Sequence, residues 1–156
     1  GELIKSDVEV ESTATFSIPG FGDTGRAQAR MQVTSVPLDP GLSLAGLTGP
    51  ADQQRLAGSG CALRLFQNSG DTAITAFNFD PQGWLLSDAP MLWTTSDSYT
   101  VTADRSVAGL ACEVSGVLAR RFDAVAGSDV GFYAYRAGVR IEWFIAFTPA
   151  ASITPP

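Results

Sequence analysis

The chain has 156 residues, 45% of them hydrophobic and 17% charged, which suits one domain with a real core and excludes a disordered chain. Its net charge of −6 argues against a nucleic-acid partner, because phosphate affinity needs clustered Lys and Arg. It contains 0 histidines, which removes Ser-His-Asp and Cys-His nucleophile chemistry and the commonest transition-metal ligand.

The chain opens Gly1-Glu2-Leu3-Ile4-Lys5, without the basic region and long apolar stretch of a signal peptide. No apolar run approaches the roughly 18 residues of a membrane span. The expectation is a chain made in the cytoplasm, with no membrane partner.

Residues 8–18 alternate: Val8, Val10, Ala14, Phe16 and Ile18 share one face, with Ser12 as the exception. This predicts a half-buried strand ended by Pro19-Gly20. Residues 26–36 alternate again, with Ala27, Ala29, Met31 and Val33 opposite Arg26, Gln28, Arg30, Gln32 and Thr34. They read as its hairpin partner, so residues 1–36 form an N-terminal strand pair or arm. Residues 37–60 read as a long loop punctuated by Pro and Gly. Within it, Pro50 to Ala57 has the marks of a short helix: Pro at its first turn and Gly58 past its end.

From Cys61 onward the pattern is β. Strands are expected near 61–67, 73–79, 91–95, 98–104, 107–114, 130–136 and 139–147, separated by turn signals such as Asn68-Ser69-Gly70-Asp71 and Ala137-Gly138. In Gly131-Phe132-Tyr133-Ala134-Tyr135, Phe132 and Ala134 take one face and the tyrosines the other. The last strand is the most apolar, with Val139, Ile141, Trp143 and Ile145 on one face, and is expected to be central. Residues 61–147 are thus the β core and 148–156 a short tail of a single domain. The fold class is all-β: an antiparallel sandwich or barrel with a long N-terminal arm or loop and at most one short helix.

Cys61 and Cys112 lie in apolar surroundings and read as two small buried thiols, with a disulfide as the alternative. Gly20-Phe21-Gly22-Asp23-Thr24-Gly25 matches GxGxxG after a strand, but a period-two segment follows where a helix should open. It reads as a hairpin or bulge loop. Asp80, Asp88, Asp97, Asp104, Asp123 and Asp129 sit mostly in turns, and no spacing selects a glycosidase pair. No DxDxDG run or zinc pattern is present. No catalytic residue, cofactor or metal is expected. Trp84, Trp93, Trp143, Tyr99, Tyr133 and Tyr135 supply material for a carbohydrate-binding platform, with core or interface as the ordinary use. Arg120-Arg121 reads as a solvated turn with ion-pairing potential at an interface.

Three pieces of the β region resemble capsid decoration (cement) proteins of tailed bacteriophages. They are Leu63-Arg64-Leu65-Phe66-Gln67-Asn68-Ser69-Gly70-Asp71-Thr72-Ala73-Ile74; Tyr99-Thr100-Val101-Thr102-Ala103 with Val107-Ala108-Gly109-Leu110-Ala111; and Asp129-Val130-Gly131-Phe132-Tyr133-Ala134-Tyr135-Arg136-Ala137-Gly138-Val139. Their order is that of the family, and they cover roughly residues 61–140. Residues 117–122 depart from the family's glycine-rich turn, and residues 1–60 match nothing in it. The resemblance implies a non-enzymatic virion protein on the capsid exterior. It would be made in the host cytoplasm, assemble as a homotrimer and bind the major capsid protein. The expected contacts are Leu3, Ile4, Val8 and Val10, the apolar loop residues Leu42, Leu44 and Leu47, and Arg120 and Arg121. The alternatives are another phage component (tail, neck or fibre domain) or a carbohydrate-binding β-sandwich module.

Overall fold

The computed structural model describes residues 3–5, 12–17, 25–48, 58–80, 83–106, 108–122 and 129–147. Among them are twelve strands and no helix: β1 (Leu3–Lys5), β2 (Ser12–Ser17), β3 (Gly25–Ser35), β4 (Leu42–Thr48), β5 (Gly58–Phe66), β6 (Asp71–Asp80), β7 (Gly83–Pro90), β8 (Ser98–Ser106), β9 (Gly109–Val114), β10 (Val117–Arg121), β11 (Asp129–Tyr135) and β12 (Gly138–Phe147). They form two six-stranded antiparallel sheets packed as a sandwich. Sheet A has the order β1-β12-β3-β8-β9-β10 and sheet B the order β2-β11-β4-β5-β6-β7.

Hairpins build the regular portion. The β5–β6 turn is the one expected, with Gly70 at φ 71° and its N–H donating to the Phe66 carbonyl. The β9–β10 turn uses Ser115 and Gly116, both at positive φ, the backbone a two-residue hairpin requires. β4 with β5, β6 with β7 and β8 with β9 also pair as sequence neighbours, whereas β1 with β12, β12 with β3, β3 with β8, and β11 with both β2 and β4 are distant in sequence.

The core lies between the sheets. Alternation in β3 buries Ala27, Ala29, Met31 and Val33, as read from the sequence. Opposite them stand Ala45 and Leu47 of β4, Leu63 of β5 and Ile74 of β6. Phe132 meets Phe144 edge-on at 5.2 Å. Trp93 belongs to the same core and donates its indole N–H to the Arg64 carbonyl at 3.0 Å. In the middle, Cys61 of β5 and Cys112 of β9 are disulfide-bonded with Cα atoms 5.3 Å apart, so the bond joins the sheets. The two cysteines are therefore not the free thiols expected.

Several expectations are corrected. The N-terminal region is no arm: β2 joins sheet B and β3 joins sheet A, so they do not pair as a hairpin. The long loop contains β4, a strand inside sheet B. Both of its faces are buried, so its hydropathy does not alternate. The strand placed at 91–95 is instead β7 at 83–90, and residues 91–94 are irregular. Arg120 and Arg121 end strand β10 and are not a turn. The last strand lies second from an edge, and only Leu3–Lys5 covers it on that side among the described residues. The Pro19-Gly20 turn, the Pro50–Ala57 helix and the tail lie outside the described residues, as does the glycine motif apart from Gly25.

Candidate functional site

The outward face of sheet B is closed. Leu44, Ala62, Phe77 and Tyr133 cluster there, between 0% and 3% exposed. Phe77 and Tyr133 lie 5.9 Å apart. Nearby, Arg64 is buried with its guanidinium 4.2 Å from the Phe66 ring centre and its Nε 3.1 Å from Asp88 Oδ1. The tyrosines therefore face away from the main core, as their alternation predicts. Tyr133 is buried and Tyr135 half-buried, so they do not make an open platform.

The outward face of sheet A is open and polar. Strand register aligns one row across five strands: Phe147 (β12), Arg26 (β3), Asp104 (β8), Ala111 (β9) and Arg120 (β10). The next row is Ile145, Gln28, Thr102, Glu113 and Leu118. A third begins with Trp143, Arg30 and Thr100. Trp143, Ile145 and Phe147 are exposed here because of a bulge. The register shifts between Ile141 and Trp143, leaving Glu142 as the extra residue. Val139 and Ile141 point inward, but beyond Glu142 the parity reverses. Unbroken alternation would put Trp143 and Ile145 on the core side with them.

Polar side chains hold this face in order. Gln28 donates to the Thr102 hydroxyl at 3.1 Å, and Gln32 to the Thr95 carbonyl at 2.7 Å. Arg30 Nε donates to Glu142 Oε2 at 3.0 Å, and the Ser98 hydroxyl donates to Oε1. The Ser98 hydrogen bond is the main cause holding the Glu142 carboxyl below its ordinary pKa range. Partial desolvation opposes it, and Arg30 and Arg140 add to the lowering.

At its β10 end the face deepens into a cleft of about 320 Å³, lined by Asp104, Ser106, Ala111, Arg120, Arg121 and Phe122 among others. Asp104 and Arg120 stand two strands apart over the small Ala111. That is about 9–10 Å between backbones. Both are exposed, and neither has a hydrogen bond or ion pair among the described residues. Phe122, 80% exposed, forms an open apolar wall. Arg121 turns the other way, and its Nη1 donates to the Ser87 hydroxyl at 3.3 Å. A second cleft of about 440 Å³ adjoins there, sharing Arg120, Arg121 and Phe122.

Of the expected contacts, only Arg120 and Arg121 come together in this site. Leu3 and Ile4 are exposed on β1, at the far edge of sheet A. Leu44 and Leu47 are fully buried and Leu42 half-buried, so β4 offers no exposed contact there. Val8 and Val10 lie outside the described residues. Sequence reading missed Phe122 and Ala111, whose places depend on β10 pairing with β9. The signal available was the Ser115-Gly116 hairpin dipeptide. Among the described residues, no group of three or more Cys, Asp or Glu side chains is placed to hold a metal ion.

No protein-family model and no curated protein matches the sequence. Solved structures do resemble the fold. A carbohydrate-binding module, CBM66, from Bacillus subtilis superposes with a TM-score of 0.62 at 11% identity, covering 95% of this chain and 92% of that one. A glycosidic hydrolase gives 0.57 at 10% identity over 90% of this chain and 70% of its own. Chicken galectin 2 gives 0.52 at 6% identity over 85% and 96%. At these identities the likeness defines an all-β sandwich and nothing finer. None of the three is a virion protein.

Proposed function

We propose that this chain is a carbohydrate-binding β-sandwich module that binds without cleaving. The observation that carries the reading is the cleft at β10. There a carboxylate and a guanidinium, each without a partner among the described residues, are held apart over a small residue beside an open aromatic ring. A sugar ring offers what this arrangement lacks. Its hydroxyls both donate and accept, so one ring can bridge Asp104 and Arg120, while its C–H face packs on Phe122. The similar fold of a carbohydrate-binding module supports the reading. The exposure of Asp104 and Glu113 favours binding over hydrolysis, because a glycosidase acid needs enclosure. The disulfide fits an oxidising, extracellular setting, where polysaccharides are met.

Affinity electrophoresis through gels containing soluble polysaccharides tests this. Retardation by at least one glycan is expected, and the double variant Asp104→Ala/Arg120→Ala should bind at least tenfold more weakly while keeping its Tm. Unchanged mobility across a broad panel of neutral and acidic glycans overturns it.

A second reading, a capsid decoration protein, is supported by the exposed apolar residues Leu3, Ile4, Ile145 and Phe147 on the β1–β12 side of sheet A. Co-sedimentation with assembled shells and a trimeric native mass are its expected outcomes. A monomer that ignores shells removes it.

A further inference from the structure

An open sheet edge presents unpaired N–H and C=O groups, and proteins blunt it with charges, proline or very short strands. Strand β7 carries Asp88 and Pro90, β10 carries Arg120 and Arg121, and β2 is mostly Ser and Thr. The remaining edge differs. Strand β1 pairs only with Val139–Ile141, so among the described residues it leaves the β12 edge open from Glu142 to Phe147. Beyond Glu142 that edge reads Trp143-Phe144-Ile145-Ala146-Phe147, with no charge and no proline. The bulge turns Trp143, Ile145 and Phe147 to the outward face, where they are 38%, 46% and 45% exposed.

We infer that this edge pairs with the same edge of a second copy, joining two A sheets antiparallel across a two-fold axis. Parity and β1 together set the register. A two-fold axis through the sheet keeps every side chain on its own face, so outward residues meet outward residues and one residue sits on the axis. Centring on Phe144 would set Phe147 opposite Ile141, a place β1 already holds. Centring on Ala146 pairs only Ile145–Phe147 among the described residues. Centring on Ile145 uses all of Trp143–Phe147: Ile145 meets its own copy, and Trp143 meets Phe147 of the partner subunit. No like charges meet along this seam, and its aromatic and β-branched pairs are of the kind that stabilise neighbouring strands. A second copy therefore matches the edge in length, shape and polarity. The three outward side chains expose roughly 100 Å² each. With the main chain of the edge, two copies bury about 1,000 Å², the small end of specific interfaces, so the dimer is weak and concentration-dependent. It does not depend on the carbohydrate-binding reading.

Sedimentation velocity over roughly 1–200 μM tests the inference, with the mass expected to rise from one chain to two. Ile145→Glu sets two carboxylates face to face on the axis and should weaken the dimer at least tenfold. Leu118→Glu makes the same change at an exposed residue of the β10 edge and should stay within twofold of the wild type. The register has its own readout, because the chain's 2 cysteines are already bonded to each other. Ile145→Cys brings two thiols within disulfide reach across the axis and should give a covalent dimer on mild oxidation. Trp143→Cys leaves its thiols four residues out of register, roughly 13 Å apart, and should run as a single chain on a non-reducing gel. A single chain at every concentration overturns the inference, as does a trimer. Equal weakening by Leu118→Glu overturns it too, as does an Ile145→Cys chain that cross-links no better than Trp143→Cys.

Discussion

A methyl group added at Gly46 would stand 1.9 Å from the Cys61 carbonyl oxygen and 2.5 Å from the Ala62 Cα, so β4 and β5 approach there only because the side chain is absent. Gly60 serves the same purpose on the neighbouring strand, where the Phe77 ring occupies the space a Cβ would take, 2.5 Å away. Backbone atoms cannot retreat as a flexible side chain can. Gly46→Ala should therefore cost about 3 kcal/mol by overpacking, read as a lower urea midpoint with unchanged slope. A loss within a few tenths of a kcal/mol would show that the strands separate easily. In the sequence alone, Gly46 reads as loop punctuation. Its role depends on a neighbour, Cys61, that only strand pairing brings opposite Leu47.

Alternation made β3 legible, with its one wet face, and left β4 hidden; β5, β6 and β11 are also buried on both faces but were legible from their apolar runs and flanking turn signals. Strand β3 sets polar Arg26, Gln28, Arg30 and Gln32 against small and apolar residues, and its period alone gave both its type and its exposed face. Strand β4, Leu-Ser-Leu-Ala-Gly-Leu-Thr, carries no such contrast, because the core takes one face and the Leu44–Tyr133 cluster the other. Strand β12 was found, but its bulge was not: period two holds on both sides of Glu142, and nothing local announces the extra residue. Arg120 and Arg121 were visible as candidate site residues, though not as a strand end, because β10 is five residues long.

The bulge also makes stability depend on pH. Glu142 is held ionised by Ser98 and Arg30, so its folded pKa lies below the reference value of 4.5. Its contribution to stability is full above that reference and fades as pH falls through the lowered value. Urea midpoints should drop more steeply in the wild type than in Glu142→Gln below about pH 4.5, and the two should run parallel between about pH 5 and 8, where no histidine titrates. Matching acid limbs for the two proteins would remove Glu142 from the network.

Across the whole molecule, the sheets are held by packing, by distant strand pairs and by one covalent bond. Cys61 and Cys112 are 51 residues apart in sequence, and spacing alone does not tell a pair of buried thiols from a disulfide. Closing a loop of that length restrains the unfolded chain by about 4 kcal/mol. For a domain of this size, Cys61→Ala/Cys112→Ala should lower Tm by roughly 10 °C, as should a reducing agent that reaches the unfolded chain. An unchanged Tm in the double variant would show that packing alone holds the sheets together. The same bond also governs how the protein survives being cut. The segment it encloses runs through β6, β7 and β8 and includes the 91–97 connection, where Leu92 stands 93% exposed. A protease that nicks this connection leaves two fragments still covalently joined, one strand of each sheet fixed to the other. A single nick there therefore releases no fragment.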